Sequence, residues 1–186
     1  MEEYYSLLRK RFTTVMVGTD QRERENERKA LEMSESPDIR KMAGIADAIH
    51  KAVRRNGSPD ELLKAMKAFD ELPGTSFWSS CMEEAAGVVL ARALSLGQED
   101  PCKPKMLEYG VAMAGRAMSA GFPLSKETVS RVKAVKEVEP ALSNLVDIAL
   151  MMNSALTPSR PEGTQFRPKA KEGEVRGRTR GRVASG

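Results

Sequence analysis

Histidine occurs once in this chain, at His50, and tryptophan once, at Trp78; cysteine occurs twice, at Cys81 and Cys102. One histidine excludes a Ser-His-Asp triad, and with two thiols beside it no multi-histidine metal site can be assembled. Two cysteines do not make a disulfide framework either, so both read as small buried or loop thiols of a reducing compartment. Aromatics are 5% of the chain and β-branched runs are scarce, which removes the usual material of strands. No apolar run reaches the roughly 18 to 20 residues that cross a bilayer, and the opening MEEYYSLLRKR has no signal-peptide apolar core. The expected setting is intracellular (cytoplasm or nucleus) or a virion, with no membrane partner.

What the chain does have is alanine, eleven methionines and 30% charged residues. That mixture favours helices, and the expectation is an all-α body of seven or eight helices over residues 1–156. Its organising stretch is FWSSCMEEAAGVVLARALSL, residues 77–96, with three charges. Trp78, Met82, Ala85, Val89, Ala93 and Leu96 recur at steps of three and four, which stacks them on one face. Val88, Ala91 and Leu94 make the rest largely apolar, so neighbours are expected on most sides. Thr75, Ser76, Ser79 and Ser80 are all capable N-caps at its start, Ser80 with Glu83 at capping-box spacing, and Gly97 is expected to stop it in the left-handed conformation.

Residues 2–17 read as an amphipathic helix with Tyr5, Leu8, Phe12, Val15 and Met16 as its apolar face, docked on its own body or on a neighbouring copy, Arg9-Lys10-Arg11 towards solvent, and Gly18 as its end. Residues 20–36 are charged nearly all round and have little to bury before Leu31. They are expected as a solvated helix or a linker, with Asp20 and Glu23 as a capping box and Glu25–Lys29 as an i,i+4 pair. Ser36-Pro37 and Ser58-Pro59 each begin a helix, serine as cap and proline at the first turn. Asn56-Gly57 and Pro73-Gly74 close those helices. Pro104 opens another, on which Gly110, Ala114, Ala117 and Gly121 leave room for a close neighbour, the 77–96 helix. Ser125 caps a short helix through Val129, Val132 and Val135, and Pro140 opens the last. In that last helix Ile148, Leu150 and Met151 widen the apolar arc beyond one face, which is either buried packing or a subunit interface. Trp78, Met82, Val89, Leu94, Met113, Leu145, Val146 and Ala149 are expected in the core.

The catalytic inventory is thin. His50 sits beside Lys51, Arg54 and Arg55 near a helix end, a setting for capping. Glu83 and Glu84 are adjacent on a helix and do not face each other, so solubility or an ion pair is their ordinary role. No enzyme activity, cofactor, metal or small-molecule substrate is expected. Arg40, Lys51, Arg54 and Arg55 form a possible secondary basic face, although Asp38 and Asp47 dilute it; Lys126, Lys133 and Lys136 share another face with Glu137.

After Leu156 the apolar rhythm stops. Residues 157–186 hold eight Lys/Arg against three Glu, whereas residues 1–156 hold 22 against 23. This Pro/Gly/Arg-rich tail is expected to be disordered alone. Two RGR units, Arg176-Gly177-Arg178 and Arg180-Gly181-Arg182, present forked donors suited to phosphate. Arg167, Lys169 and Lys171 add charge, and Phe166 is placed to stack on a base. The expected partner is nucleic acid, RNA ahead of DNA, and the chain itself as homo-oligomer. Candidate interface residues are Tyr4, Tyr5, Leu8 and Phe12 in the first helix with Ile148, Leu150 and Met151 in the last.

A helical body ending at Leu156, a hinge Thr157-Pro158-Ser159-Arg160-Pro161 and the RGRTRGR run resemble, in layout, viral nucleocapsid and core proteins such as those of hepadnaviruses. The resemblance implies a body that self-assembles and a tail that faces packaged nucleic acid. Two readings stand: a self-associating nucleic-acid-binding structural protein, or a helical adaptor or regulator whose basic tail serves solubility or localisation.

Overall fold

The structure, a computed structural model, describes residues 1–157. The expectations placed on the tail, including Arg167, Lys169, Lys171, Arg176, Arg178, Arg180 and Arg182, lie outside the described residues. Within them the chain is all-helical: α1 (Glu2–Val17), α2 (Gln21–Glu32), α3 (Pro37–Val53), α4 (Asp60–Asp70), α5 (Ser76–Ser95), α6 (Lys103–Ser119), α7 (Lys126–Val138) and α8 (Ser143–Leu156), with a 3₁₀ turn at Pro140–Leu142.

α5 joins two groups of helices. On one side it meets α1 and α3, which carry α2 and α4; on the other it meets α6 and α7, which carry α8. Ala85, Ala86, Val89, Leu90 and Ala93 on α5 have no exposed surface. The small-residue face of α6 meets α5 as expected: a Cβ at Gly110 would lie 2.6 Å from Leu90 Cδ2. Glycine leaves the Leu90 side chain room against α6, and an alanine there would have to displace it. α7 crosses α5 at Gly87, whose carbonyl accepts from Arg131 Nη1 at 3.1 Å.

α5 starts behind the first of its four candidate caps, and its other end differs from expectation. The helix starts at Ser76 behind Thr75, and Ser80 lies inside it, donating to the Phe77 carbonyl at 2.7 Å. Pro73-Gly74 breaks the chain first, so the early hydroxyls compete for the start and the more distant ones lose it. At the other end Leu96 leaves the helix with φ −71°, and its carbonyl accepts from the buried Lys103 Nζ at 2.7 Å. A cation at a helix C-terminus does the work assigned to a left-handed Gly97. The non-glycine left-handed residue is Asn56 (φ 62°), not Gly57. Gly57 is needed for approach instead, since a Cβ there would lie 2.3 Å from the Ala52 carbonyl oxygen.

The Ser36-Pro37 start of α3 and the Ser125 cap of α7 are present, with Ser125 Oγ accepting from Thr128 N at 3.2 Å. Ser58 instead accepts from Asp60 N, with Pro59 at the cap position of α4. Residues 21–32 are helical and one side is docked. Asp20 caps them, Leu31 is fully buried, and Arg24 Nε donates to the Val15 carbonyl at 2.9 Å. Glu25 bonds to Arg28 at 2.6 Å in preference to Lys29, 4.0 Å away. That bond holds the Glu25 carboxyl below its ordinary range, and raises Arg28. Arg9 and Arg11 do not both face solvent: Arg9 pairs with Glu84 at 3.0 Å and Arg11 with Glu27 at 3.2 Å, the latter without hydrogen-bond alignment. Trp78, Leu94 and Leu145 pack against the core half-buried, while the other five expected core residues are buried.

Candidate nucleic-acid and assembly surfaces

The carboxylate pair on α5 is structural. Glu83, 6% exposed, accepts from Ser125 N at 3.0 Å, so its charge sits at the N-terminus of α7, where the helix dipole favours it. Glu84 accepts from Arg9 Nε at 3.0 Å and from Thr13 Oγ1 at 2.6 Å. Adjacent positions thus tie α5 to two different neighbours, and neither is placed opposite the other for acid–base work. Cys81 is buried between these contacts, and burial pushes its thiol up to about 12. A thiol so hard to ionise is a poor nucleophile at neutral pH. Among the described residues, no group of three His, Cys, Asp or Glu is arranged to hold a metal ion, and no helix is long and apolar enough to cross a membrane.

His50 joins α3 to the end of α1, with Nδ1 3.2 Å from the Met16 carbonyl oxygen. A carbonyl only accepts, so this nitrogen carries the proton and donates. Burial, then the nearby Arg24 charge, lowers the imidazole pKa below its ordinary value. The folded state therefore binds fewer protons at His50 than the unfolded chain. Its contribution is fully present above the unfolded pKa, about 6.5, and is lost as pH falls through the folded value. Between pH 7.5 and 5 the wild type is expected to lose more stability than His50→Gln, read from urea midpoints. Parallel pH curves for the two proteins would remove His50 from the account.

The secondary basic face divides. Arg40, at the start of α3, donates to the Ser34 and Glu35 carbonyls at 2.7 and 3.1 Å. Lys51 pairs with Asp47 at 3.0 Å. Arg54 and Arg55 lie at the other end of α3, roughly 20 Å from Arg40 at the helical rise. One groove formed by all four does not exist, because a straight helix holds its ends apart. On the second face Lys136 is taken up by Asp147 at 2.8 Å, while Lys126 and Lys133 stay exposed.

Two of the candidate interface residues face the wrong way. Phe12 has no exposed surface and Leu8 only 4%, so neither can meet another copy without the body opening. Tyr4 (51%), Tyr5 (42%), Ile148 (51%) and Met151 (67%) are exposed, and Leu150 is half-buried. Buried packing within the body is thereby ruled out for Ile148 and Met151. The two sets stand on helices with different neighbours, α1 on α2, α3 and α5, and α8 on α6 and α7.

Sequence reasoning missed a hollow of about 740 Å³ between α1, the start of α3 and the start of α5. Tyr4, Tyr5, Phe77, Trp78 and Phe122 line it, five of the nine aromatic residues in the chain. So few aromatics gathered around one opening make it the main apolar recess of this surface. The rings pack on one another: Tyr5 and Phe77 are tilted with centroids 4.8 Å apart, and Phe77 and Trp78 meet edge to face at 5.0 Å. The adjacent pairs Tyr4-Tyr5 and Phe77-Trp78 were the available signal, but their meeting is a tertiary fact.

No family model, curated protein or solved structure matches this chain. The functional reading accordingly rests on the residues and the fold.

Proposed function

We propose that this chain is a non-enzymatic, self-associating nucleic-acid-binding structural protein of the nucleocapsid type. The helical body is the assembly unit, and the tail arginines contact phosphates. One observation carries the reading: a body of near-zero net charge keeps apolar side chains outward on α1 and α8, while the excess positive charge follows α8. An exposed apolar set favours association with another surface. Arginines interleaved with glycine favour phosphate without favouring a base sequence. RNA is proposed ahead of DNA.

The adaptor reading draws on the aromatic hollow, which has the size and lining of a recess for a partner's apolar side chains. Sedimentation of the full chain over a range of concentrations, with absorbance at 260 nm recorded, separates the two. Large particles carrying nucleic acid are expected; a clean monomer at high concentration, with or without nucleic acid, would favour the adaptor. Ile148→Asp with Met151→Asp is expected to weaken self-association at least tenfold, since burying each side chain is worth about 1 to 2 kcal/mol. Helical circular dichroism should be unchanged, because both positions are exposed. Undiminished association in that double variant would remove α8 from the interface.

A further inference from the structure

Among the described residues, four arginine side chains have neither an acidic partner nor a hydrogen bond: Arg22, Arg54, Arg55 and Arg92. Three of these four line one hollow of about 370 Å³, at the lower end of the size range of small-ligand sites. Arg54 and Arg55 come from the turn after α3, and Arg92 from the last turn of α5. We propose that this hollow binds the phosphate group of a ligand, held by the guanidinium groups of Arg54, Arg55 and Arg92.

Three guanidinium groups around one recess repel one another, and among the described residues none of them has an ion-pair partner. The acidic residue of the lining, Asp100, points its carboxylate to the turn before α6 and accepts from Cys102 N at 2.9 Å. It makes no ion pair with any of the three arginines. Behind the wall, buried Lys103 adds a fourth positive charge and occupies the Leu96 carbonyl, so that helix-end acceptor is not open to the recess. Elsewhere on the body, arginines are used on Glu84, Glu27, Asp47, Glu25 and Asp70 or on backbone carbonyls. The turn is also held in shape. Asn56 adopts φ 62°, Gly57 N donates to the Arg54 carbonyl at 2.9 Å, and no side chain larger than hydrogen fits at Gly57. A cluster of arginines carried on a held turn suits a tetrahedral oxyanion, and a carboxylate or phosphate entering it gains several charge-assisted hydrogen bonds. Phosphate is favoured because its oxygens project in three directions, towards donors that arrive from two different elements.

The phosphate can come from a polynucleotide backbone or from a small phosphate ligand. The assignment does not depend on the tail reading, and the test keeps them apart. Full-length protein, isotopically labelled, is titrated with inorganic pyrophosphate and separately with a short single-stranded oligonucleotide, following backbone amide resonances. Pyrophosphate is expected to shift the amides of residues 54–57 and 100–103 saturably, both in wild type and in the variant with Arg176, Arg178, Arg180 and Arg182 replaced by Ala. Binding should weaken at least tenfold in Arg92→Gln. It should weaken likewise in Arg54→Gln/Arg55→Gln, whose positions are exposed and place no demand on folding. The same amides shifting with oligonucleotide would identify a backbone phosphate; shifts with pyrophosphate alone would identify a free phosphate ligand. Either upholds the site. No saturable shift at these amides with either probe, or shifts of equal size in the Arg54/Arg55 variant, would overturn it. Loss of oligonucleotide affinity in the tail variant reports on the tail alone.

Discussion

Val89→Asp is expected to cost on the order of 4 kcal/mol or more of folding stability. Val89 has no exposed surface, and its Cγ1 lies 3.4 Å from the point where Gly110 would carry a Cβ. A carboxylate there is enclosed by α5 and α6 at their closest approach. Arg131 of α7 is committed to the Gly87 carbonyl, and Arg92 lines the hollow beside Arg54. Water cannot reach the charge without separating the helices, so the carboxylate must stay protonated or the pair must part. Urea denaturation followed by circular dichroism measures the loss, with Val89→Ala as control for the cavity alone, expected at about 1 to 2.5 kcal/mol. A melting temperature for Val89→Asp within about 3 °C of wild type would mean that the closest contact of the fold is misplaced.

The second large effect concerns nucleic acid. Replacing Arg176, Arg178, Arg180 and Arg182 by Ala removes half of the positive charges in residues 157–186. Each phosphate neutralised by a side chain releases counterion, and on a single strand the slope of log K against log salt changes by about 0.7 per contact. Loss of four contacts should flatten the slope by about 3. Between 50 and 200 mM salt the wild type should therefore lose about fifty-fold more affinity than the variant does. The body has little net charge to add to this attraction: its 22 basic residues face 23 acidic ones, and eleven of those bases are already ion-paired. Titration of a labelled oligonucleotide at the two salt concentrations decides the point. An unchanged slope would move the polyanion contacts onto the folded helices.

Local grammar carried most of the fold. Serine followed by proline marks the starts of α3 and α4, Ser125 marks α7, and the Gly110 face was matched correctly to α5. These signals were legible because capping and close packing use residue types that have few other uses. The start of α5 was narrowed only to four hydroxyls, Thr75 among them, and its end was misread because its true C-terminal partner, Lys103, belongs to the next helix. The candidate sites were less legible for the same physical reason. Arg54 and Arg55 stood out as a basic pair, yet Arg92, 37 positions later, had no motif to connect it to them. Phe12 and Leu8 looked available to another copy because an amphipathic helix does not declare what its apolar face will meet. Here the body itself covers it.

The twofold attachment of α5 also sets an order of events during synthesis. α1 to α4 contact one another, so their mutual packing can begin as soon as they leave the ribosome. Arg9 and Thr13 must nevertheless wait for Glu84, and Glu83 must then wait for Ser125, about forty residues further on. At the 5 to 20 residues per second of translation, that second interval lasts a few seconds. Throughout it, one carboxylate of α5 has its partner while its neighbour in sequence does not, and until residues 103–119 follow, the α6 side of the helix is bare. A nascent chain paused before α6 is complete presents Val89 and Leu90 to solvent, which is the point at which a chaperone would have most to hold.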